Sequence, residues 1–210
     1  NTKQPKQRLR SKRLVEACIT TQSCYRMYKA TCEKERRLRM YNEKKHIAER
    51  LLISEKDYFK DLNLLLSNFL DPLTADQVAV DILSKYQDLS TNIHNLSEVL
   101  RSMITFHKEL LKMLEDKVVA HWNIQMRFGD FFSLICSHLK AYLKYLIHYQ
   151  PIINAVQKSC DSDGELEKLL NDYISRECDS RGLVDIIGRP IQRITDYNQY
   201  IHELKNQTWE

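Results

Sequence analysis

The side chains that could bind a metal or take part in covalent chemistry are scattered through the sequence. It has seven histidines and six cysteines, but no CxxC pair and no histidine at zinc-finger spacing. Asp161 and Asp163 precede Gly164 in an Asp-Ser-Asp-Gly run that is too short for an EF-hand loop and lacks its bidentate glutamate. We therefore expect no metal and no cofactor, and we interpret the two acids as turn-forming residues.

The sequence signatures of nucleotide-binding and hydrolytic enzymes are also missing. There is no GxxxxGKS/T loop, no GxGxxG, no GxSxG and no HExxH. His138 and His148 fall in a strongly apolar stretch, where a hydrogen-bonded core or boundary histidine is more common than a metal ligand. The sequence predicts a protein that is not an enzyme and acts through a binding surface.

The cysteines and the hydropathy pattern indicate a reducing compartment. The N-terminal sequence is polar and does not have the pattern of a signal peptide, and no run approaches the ~18 consecutive apolar residues of a membrane span. We expect a cytoplasmic protein with reduced thiols, several of them small core residues. The cysteines are Cys18, Cys24, Cys32, Cys136, Cys160 and Cys178.

Long helices must position any functional residues. Glycine and proline occur only four times each, and the tight turns of a sheet protein depend on both. Apolar residues recur at helical spacing, and we predict an all-α, elongated bundle of about six helices. The predicted helices cover residues 14–40, 47–70, 76–86, 93–119, 130–149, 165–177 and 191–204.

Helix boundaries are predicted where breaking and capping residues occur. Thr74 or Asp76 is the expected N-cap of the third predicted helix. We expect a boundary at Pro151 and chain breaks at residues 159–164, 179–182 and 188–190. Residues 1–10 are predicted to form a disordered basic tail.

Charge is distributed unevenly along the chain. Residues 1–50 contain 15 lysines and arginines against 5 acids, whereas the remainder contains 17 against 23. We predict a basic N-terminal helical extension over residues 1–43 and a separate helical domain over residues 44–210. The extension is either a solvated helix or a surface for an anionic membrane, and it carries no nucleic-acid motif.

Four sequence blocks carry a family resemblance. Residues 47–62 read IAERLLISEKDYFKDL, and a second block covers residues 93–114. The third, FGDFF, occupies residues 128–132, and the fourth includes Pro-Ile-Gln-Arg-Ile at residues 190–194. In this order and spacing the blocks resemble the Dbl-homology (DH) domain of Rho guanine-nucleotide exchange factors, over roughly residues 44–205.

The resemblance implies a fold and a function. In DH domains the helix of the first block lies beside the Pro-Ile-Gln-Arg helix, and the two contribute to the face that binds the GTPase. Such a domain remodels the switch segments of a Rho-family small GTPase and stabilises the nucleotide-free state, in signalling to the actin cytoskeleton. The expected partner is therefore a Rho-family GTPase, with membrane recruitment as an open possibility and no nucleic acid.

The sequence departs from the family pattern at three places. The family has a glutamate eight residues before the tyrosine of the first block, where this chain has Arg50 next to Glu49. Asp196 replaces the usual lysine or arginine before Tyr197. The family continues into a further long helix, so residues 44–210 are expected to be a DH-like domain lacking its last helix.

The resemblance places the candidate GTPase interface on two helices. Three alternatives to an active exchange factor remain open: a degenerate DH module that serves as a protein-binding scaffold, a helical support for a membrane-binding basic head, and an interface occluded by an Arg50–Asp196 contact. The candidate interface residues are Glu49, Arg50, Ser54, Arg189, Gln192, Arg193 and Asp196.

Overall fold

The computed structural model describes residues 3–123, 126–162, 164–166, 168–169, 172 and 183–207. These residues contain no strand, so the all-α prediction is confirmed for them. π-Helical turns at Leu65–Leu70 and Asp116–Ala120 extend two of the helices. The α-helices are α1 (Lys3–Leu64), α2 (Asp71–Ala75), α3 (Gln77–Ser84), α4 (Gln87–Glu115), α5 (Gly129–Ser162) and α6 (Leu183–Asn206).

The chain divides into two compact units, residues 1–46 with 207–210 and residues 47–206. In the first unit α1 begins at Lys3, so the predicted disorder is wrong for residues 3–10. Pro5 lies in the first helical turn, where its missing N–H has no intrahelical partner to lose. Across the described residues, no helix combines the length and the apolar character that crossing a membrane requires.

The second unit has a core made of two apolar clusters. One joins the end of α1, the first π-helical turn and α2–α4 to the middle of α5, and includes Leu62, Phe69 and Leu96. The other cluster joins α1 from residue 47 onward to the end of α4, the start of α5 and the helix α6. It includes Leu51, Leu110 and Phe131. The periodic apolar residues of the predicted helices supply both clusters, as expected for amphipathic helices.

Two prolines lie inside helices where the sequence predicted breaks. Pro151 is within α5 and Pro190 is within α6, so the predicted boundaries there are wrong. An interior proline costs a helix about 3 kcal/mol. Continuing each helix places neighbouring isoleucines in the core, and this burial offsets the cost. The buried isoleucines are Ile152, Ile153, Ile186 and Ile187.

Capping and loop predictions had mixed outcomes. Asp76 is the N-cap of α3, because its Oδ1 accepts a hydrogen bond from the Val78 amide at 2.9 Å, so this prediction is confirmed. The loop predicted at residues 159–164 is helical through Ser162. The loop at 179–182 and most of the helix at 165–177 lie outside the described residues.

The cysteines are not core residues where their side chains are described. Cys18, Cys24, Cys32 and Cys136 are all exposed, so the prediction of several core cysteines fails for these four. The first three lie in α1 between residues 12 and 39, where nearly every side chain faces solvent. The side chains of Cys160 and Cys178 lie outside the description.

We expect Leu62→Ala to lower the free energy of unfolding by about 2–5 kcal/mol, the range for large-to-small substitutions in cores. Leu62 is 1% exposed, so the truncation leaves a cavity among the helices. Urea denaturation followed by circular dichroism measures the change. Leu143→Ala is the control, since Leu143 is 60% exposed on α5, and an equal loss in the two variants would contradict the packing described here.

Candidate functional site

Helices α1 and α6 lie side by side in opposite directions and are joined by cross-helix ion pairs. As residue numbers rise along α1, the numbers of the partners on α6 fall, which identifies an antiparallel pair. Pairs repeated over three turns of α1 fix the register of the two helices. The ion pairs are Arg50–Glu203, Glu55–Arg193 and Asp61–Arg189, the last with Nε to Oδ2 at 2.9 Å.

The central carboxylate, Glu55, is completely buried. It accepts hydrogen bonds from His107 Nδ1 at 2.7 Å, from the Tyr197 hydroxyl at 2.7 Å and from the Arg193 guanidinium. His107 belongs to α4 and the other two donors belong to α6. A buried carboxylate is tolerated only when it is paired and hydrogen-bonded, and here donors from two helices meet that need.

The network extends from His107 to a fourth helix. His107 Nε2 lies 2.8 Å from the hydroxyl of Tyr142 on α5, and the Tyr58 hydroxyl donates to Tyr142 at 3.5 Å. When His107 carries its proton on Nδ1, each hydroxyl donates to the next acceptor and the chain ends at Glu55. Four helices thus contribute polar side chains to one buried cluster.

Arg193 is held between two aromatic rings. Its guanidinium carbon lies 4.4 Å from the ring centre of Tyr197 and 5.3 Å from that of Tyr58. Its Nη1 donates to Ser54 Oγ. Arg193 is only 2% exposed, so in this structure it supports the α1–α6 surface from within. A desolvated guanidinium on an aromatic face gains up to about 2 kcal/mol from this contact.

Burial and hydrogen bonding set the protonation states in this cluster. Burial alone would raise the pKa of Glu55, but the hydrogen bond from His107 and the positive charge of Arg193 outweigh it and lower that pKa below its ordinary value. Burial raises the pKa of Tyr197 and of Tyr58 well above the usual value. The carboxylate therefore stays charged and the hydroxyls stay donors.

The outer surface of the helix pair is polar. Exposed Gln192 donates from Nε2 to Asp196 Oδ1 at 3.2 Å, and the other oxygen of Asp196 lies 3.8 Å from Arg193 Nη1. Ser54 is half-buried beside Arg193, and Glu49 is exposed on α1. The structure therefore brings Ser54, Gln192 and Asp196 together around the buried guanidinium.

Arg50 pairs with a residue other than the one considered from the sequence. Its Nη2 contacts Glu203 rather than Asp196, so the proposed occluding Arg50–Asp196 contact is wrong. The reason is the helix register, because Asp196 is placed beside Arg193, one turn or more away from Arg50. Tyr200 adds to the contact, with its hydroxyl 3.4 Å from the Arg50 carbonyl oxygen and its ring centre 5.9 Å from the guanidinium carbon.

Sequence reasoning did not single out the buried partners. Glu55 lies in the first block and His107 in the second, and neither is among the candidate interface residues that the resemblance implies. A signal was present, since Glu55 occupies the apolar face formed by Leu51, Leu62 and Tyr58. A charge on such a face requires buried partners.

The site is a surface of hydrogen-bonded and ion-paired side chains. The described residues contain no group of three His, Cys, Asp or Glu side chains placed to hold a metal ion. Two antiparallel helices, locked by a buried ion pair, present a polar face to solvent. The fold is an all-helical domain with a polar face along its α1–α6 pair.

Comparison with known proteins identifies the family. The RhoGEF domain family matches residues 47–210, and the chain belongs to this family. The mouse protein named FYVE, RhoGEF and PH domain-containing protein 3 is 26% identical over 155 residues, which are 72% of this chain and 20% of that protein. The human breakpoint cluster region protein is 23% identical over 172 residues, which are 79% of this chain and 13% of that protein.

A third relative comes from a distant organism. The Myosin-M heavy chain of Dictyostelium discoideum is 28% identical over 176 residues, which are 81% of this chain and 9% of that protein. The chain thus spans a fifth or less of the length of these three relatives. The similarity concerns one domain within much longer proteins.

We expect Glu55→Gln to lower the free energy of unfolding by about 3–5 kcal/mol, because it leaves the buried charge of Arg193 without its counter-charge. Urea denaturation at pH 7 measures this loss. Glu115→Gln is the matched control, since Glu115 pairs with Lys56 at a site where both side chains are about half exposed. Its expected cost is below about 1 kcal/mol.

The same pair of variants tests the pH dependence. Because folding lowers the pKa of Glu55, its contribution is complete above the unfolded-state value of about 4.3 and is lost as the pH falls through the lower folded-state value. Glu55→Gln should therefore lose less stability than the wild type as the pH falls from about 5 to about 3. Parallel pH profiles would contradict the role given to the carboxylate.

Proposed function

We propose that this chain is a guanine-nucleotide exchange factor for a Rho-family small GTPase and binds it through the α1–α6 face. The observation that carries the proposal is the pairing of α1 with α6 through the buried Glu55–Arg193 contact, in a chain that belongs to the RhoGEF family. The pair presents a preformed polar surface. Preformed surfaces bind without the cost of ordering their own side chains.

The exchange mechanism requires no bond-making group on this chain. A domain that binds the nucleotide-free GTPase more tightly than the GDP-bound form lowers the barrier to release, because only differential binding accelerates the step. The switch segments of a GTPase are suited to this role, since Mg²⁺ and the nucleotide hold them in order. The surface of the exchange factor replaces part of those lost contacts.

The proposed contact residues follow from exposure. Gln192 is exposed and Asp196 is half-buried at the centre of the face, with Ser54 beside them. Glu49 and Arg50 extend it along α1. Arg189 lies at the opposite end, where it is 36% exposed and pairs with Asp61. Arg193 acts beneath the face by holding Ser54.

The proposed domain organisation places the DH-like domain in residues 44–210 and a basic helical extension in residues 1–43. One feature of the extension favours a second role. Leu14, Val15 and Ile19 are 57–61% exposed on a helix that also carries many lysines and arginines. Basic side chains are attracted to anionic lipid surfaces, and exposed apolar side chains add to such binding when they enter the headgroup region.

The exchange proposal is tested by the release of fluorescent GDP from a panel of Rho, Rac and related GTPases. The 210-residue chain should be assayed beside the same chain extended by any sequence that naturally follows it. We expect faster release from at least one GTPase. No release by either form of a folded protein would favour the alternative, a non-catalytic DH module that serves as a protein-binding scaffold.

Gln192→Ala should lower the release rate roughly five- to tenfold, a loss of about 1 kcal/mol or more that is typical of a contributing interface residue. Gln150→Ala is the matched control. Gln150 is an exposed glutamine on α5 that donates to Asn154 at 3.0 Å, four residues on, as Gln192 does to Asp196. It should leave the rate unchanged, and equal effects of the two variants would count against the α1–α6 face.

The membrane role predicts co-sedimentation with vesicles rich in phosphatidylserine. Binding should weaken as the salt concentration is raised from about 0.1 M to about 0.5 M. The reason is that the Debye length is about 10 Å at 0.1 M and falls toward its value of about 3 Å at 1 M. It should disappear when residues 1–45 are removed. Binding that persists without those residues would assign the membrane contact to the helical domain instead.

A further inference from the structure

In the Arg50–Glu203 pair, the arginine is more accessible to a binding partner than the glutamate is. Oε2 of Glu203 is occupied by Arg50 Nη2, and its Oε1 accepts a hydrogen bond from Gln199 Nε2 at 2.8 Å. The Glu203 side chain is 27% exposed, whereas that of Arg50 is 44% exposed. Each oxygen of the acid therefore already accepts one hydrogen bond, and the cation is the more accessible member of the pair.

Arg50 keeps hydrogen-bonding capacity while it is held in place. A guanidinium has five N–H donors on three nitrogens, and among the described contacts only Nη2 of Arg50 is engaged. Glu203 fixes one side of the group, and the ring of Tyr200 lies 5.9 Å from its central carbon. The side chain is thus positioned before any partner arrives, which reduces the entropy lost on binding.

The chemistry that fits these free donors is a carboxylate. The planar fork of arginine matches the two oxygens of a carboxylate, and such charge-assisted pairs are among the strongest hydrogen bonds in proteins. A basic group at the same place would first meet like charge, since the guanidinium is the more exposed member of the pair. Like-charge juxtaposition discriminates strongly between partners.

We propose that Arg50 is a specificity-determining residue of the α1–α6 face and selects a GTPase that places an aspartate or glutamate opposite it. Glu203 and Tyr200 are positioning residues that hold the guanidinium toward that partner. The inference rests on the proposed exchange function and names the chemistry of the partner at this site. Arg50 is then a contact that selects the partner, and it does not simply weaken the α1–α6 face.

The charge-swapped double variant Arg50→Glu/Glu203→Arg separates this role from a structural one. The swap keeps an ion pair between α1 and α6 but reverses its polarity. We expect a folded protein whose GDP release rate on the responding GTPase falls at least about tenfold. The control swap Lys56→Glu/Glu115→Lys reverses an exposed pair between α1 and α4 and should leave the rate unchanged.

Rescue from the GTPase side completes the test. Each aspartate and glutamate of the switch segments in the responding GTPase is changed in turn to lysine and assayed with the swapped variant. We expect one reversal to restore release by the swapped variant and to lower release by the wild-type domain. A purely structural Arg50–Glu203 pair would show no such rescue, and the absence of rescue overturns the inference.

The remaining outcomes are also decisive. A swapped variant that releases GDP as fast as the wild type overturns the inference while leaving the exchange function intact. A folded wild type that acts on no GTPase overturns the exchange function, and the inference with it. If the double variant fails to fold, Arg50→Gln and Glu203→Gln replace it. The inference then requires a clearly larger loss from Arg50→Gln, because Glu203→Gln keeps the guanidinium, and equal losses would overturn it.

Discussion

The buried carboxylate of Glu55 is the constraint on which the helical domain depends. A charge with no exposure to water must find its partners inside the protein, and it finds them on two other helices. His107 and Arg193 cannot satisfy Glu55 unless α4 and α6 adopt one rotation and one height relative to α1. Apolar contacts alone would allow neighbouring registers at small cost, whereas a misplaced carboxylate costs several kcal/mol. The network therefore specifies the packing that the apolar clusters stabilise.

The outer face follows from the register that this inner contact sets. With Glu55 opposite Arg193, the α1 positions one turn before and two turns after it come to lie against α6. Arg50 then meets Glu203 and Asp61 meets Arg189. The more exposed of these pairs, Arg50–Glu203, adds little to stability by itself. The exposed charges are thereby arranged by a buried one. Changes on the surface can alter what the domain binds while the fold is kept.

The sequence predicted which stretches are helical because their apolar periodicity is strong, but it did not predict where the helices begin and end, and it predicted the site only in part. The four blocks placed Ser54, Gln192 and Asp196 near one another, and the structure does so. The prolines were misjudged because local rules carry no information about the isoleucines that a continuing helix buries. The partner of Arg50 could not be predicted either, because a contact between two helices depends on their register and no local sequence pattern fixes that register.

A surface built this way can acquire new specificity without loss of folding. The residue types that hold the helices together lie beneath the face, and Arg193 is the clearest case, with 2% exposure and two aromatic rings around it. Arg50 lies above that layer, and its exposed pair with Glu203 contributes little to the register. Replacing an acid by a base at such a position changes the charge offered to a partner and leaves the buried network untouched. This separation of layers explains how the charge at Arg50 can vary while the fold of a RhoGEF domain is retained.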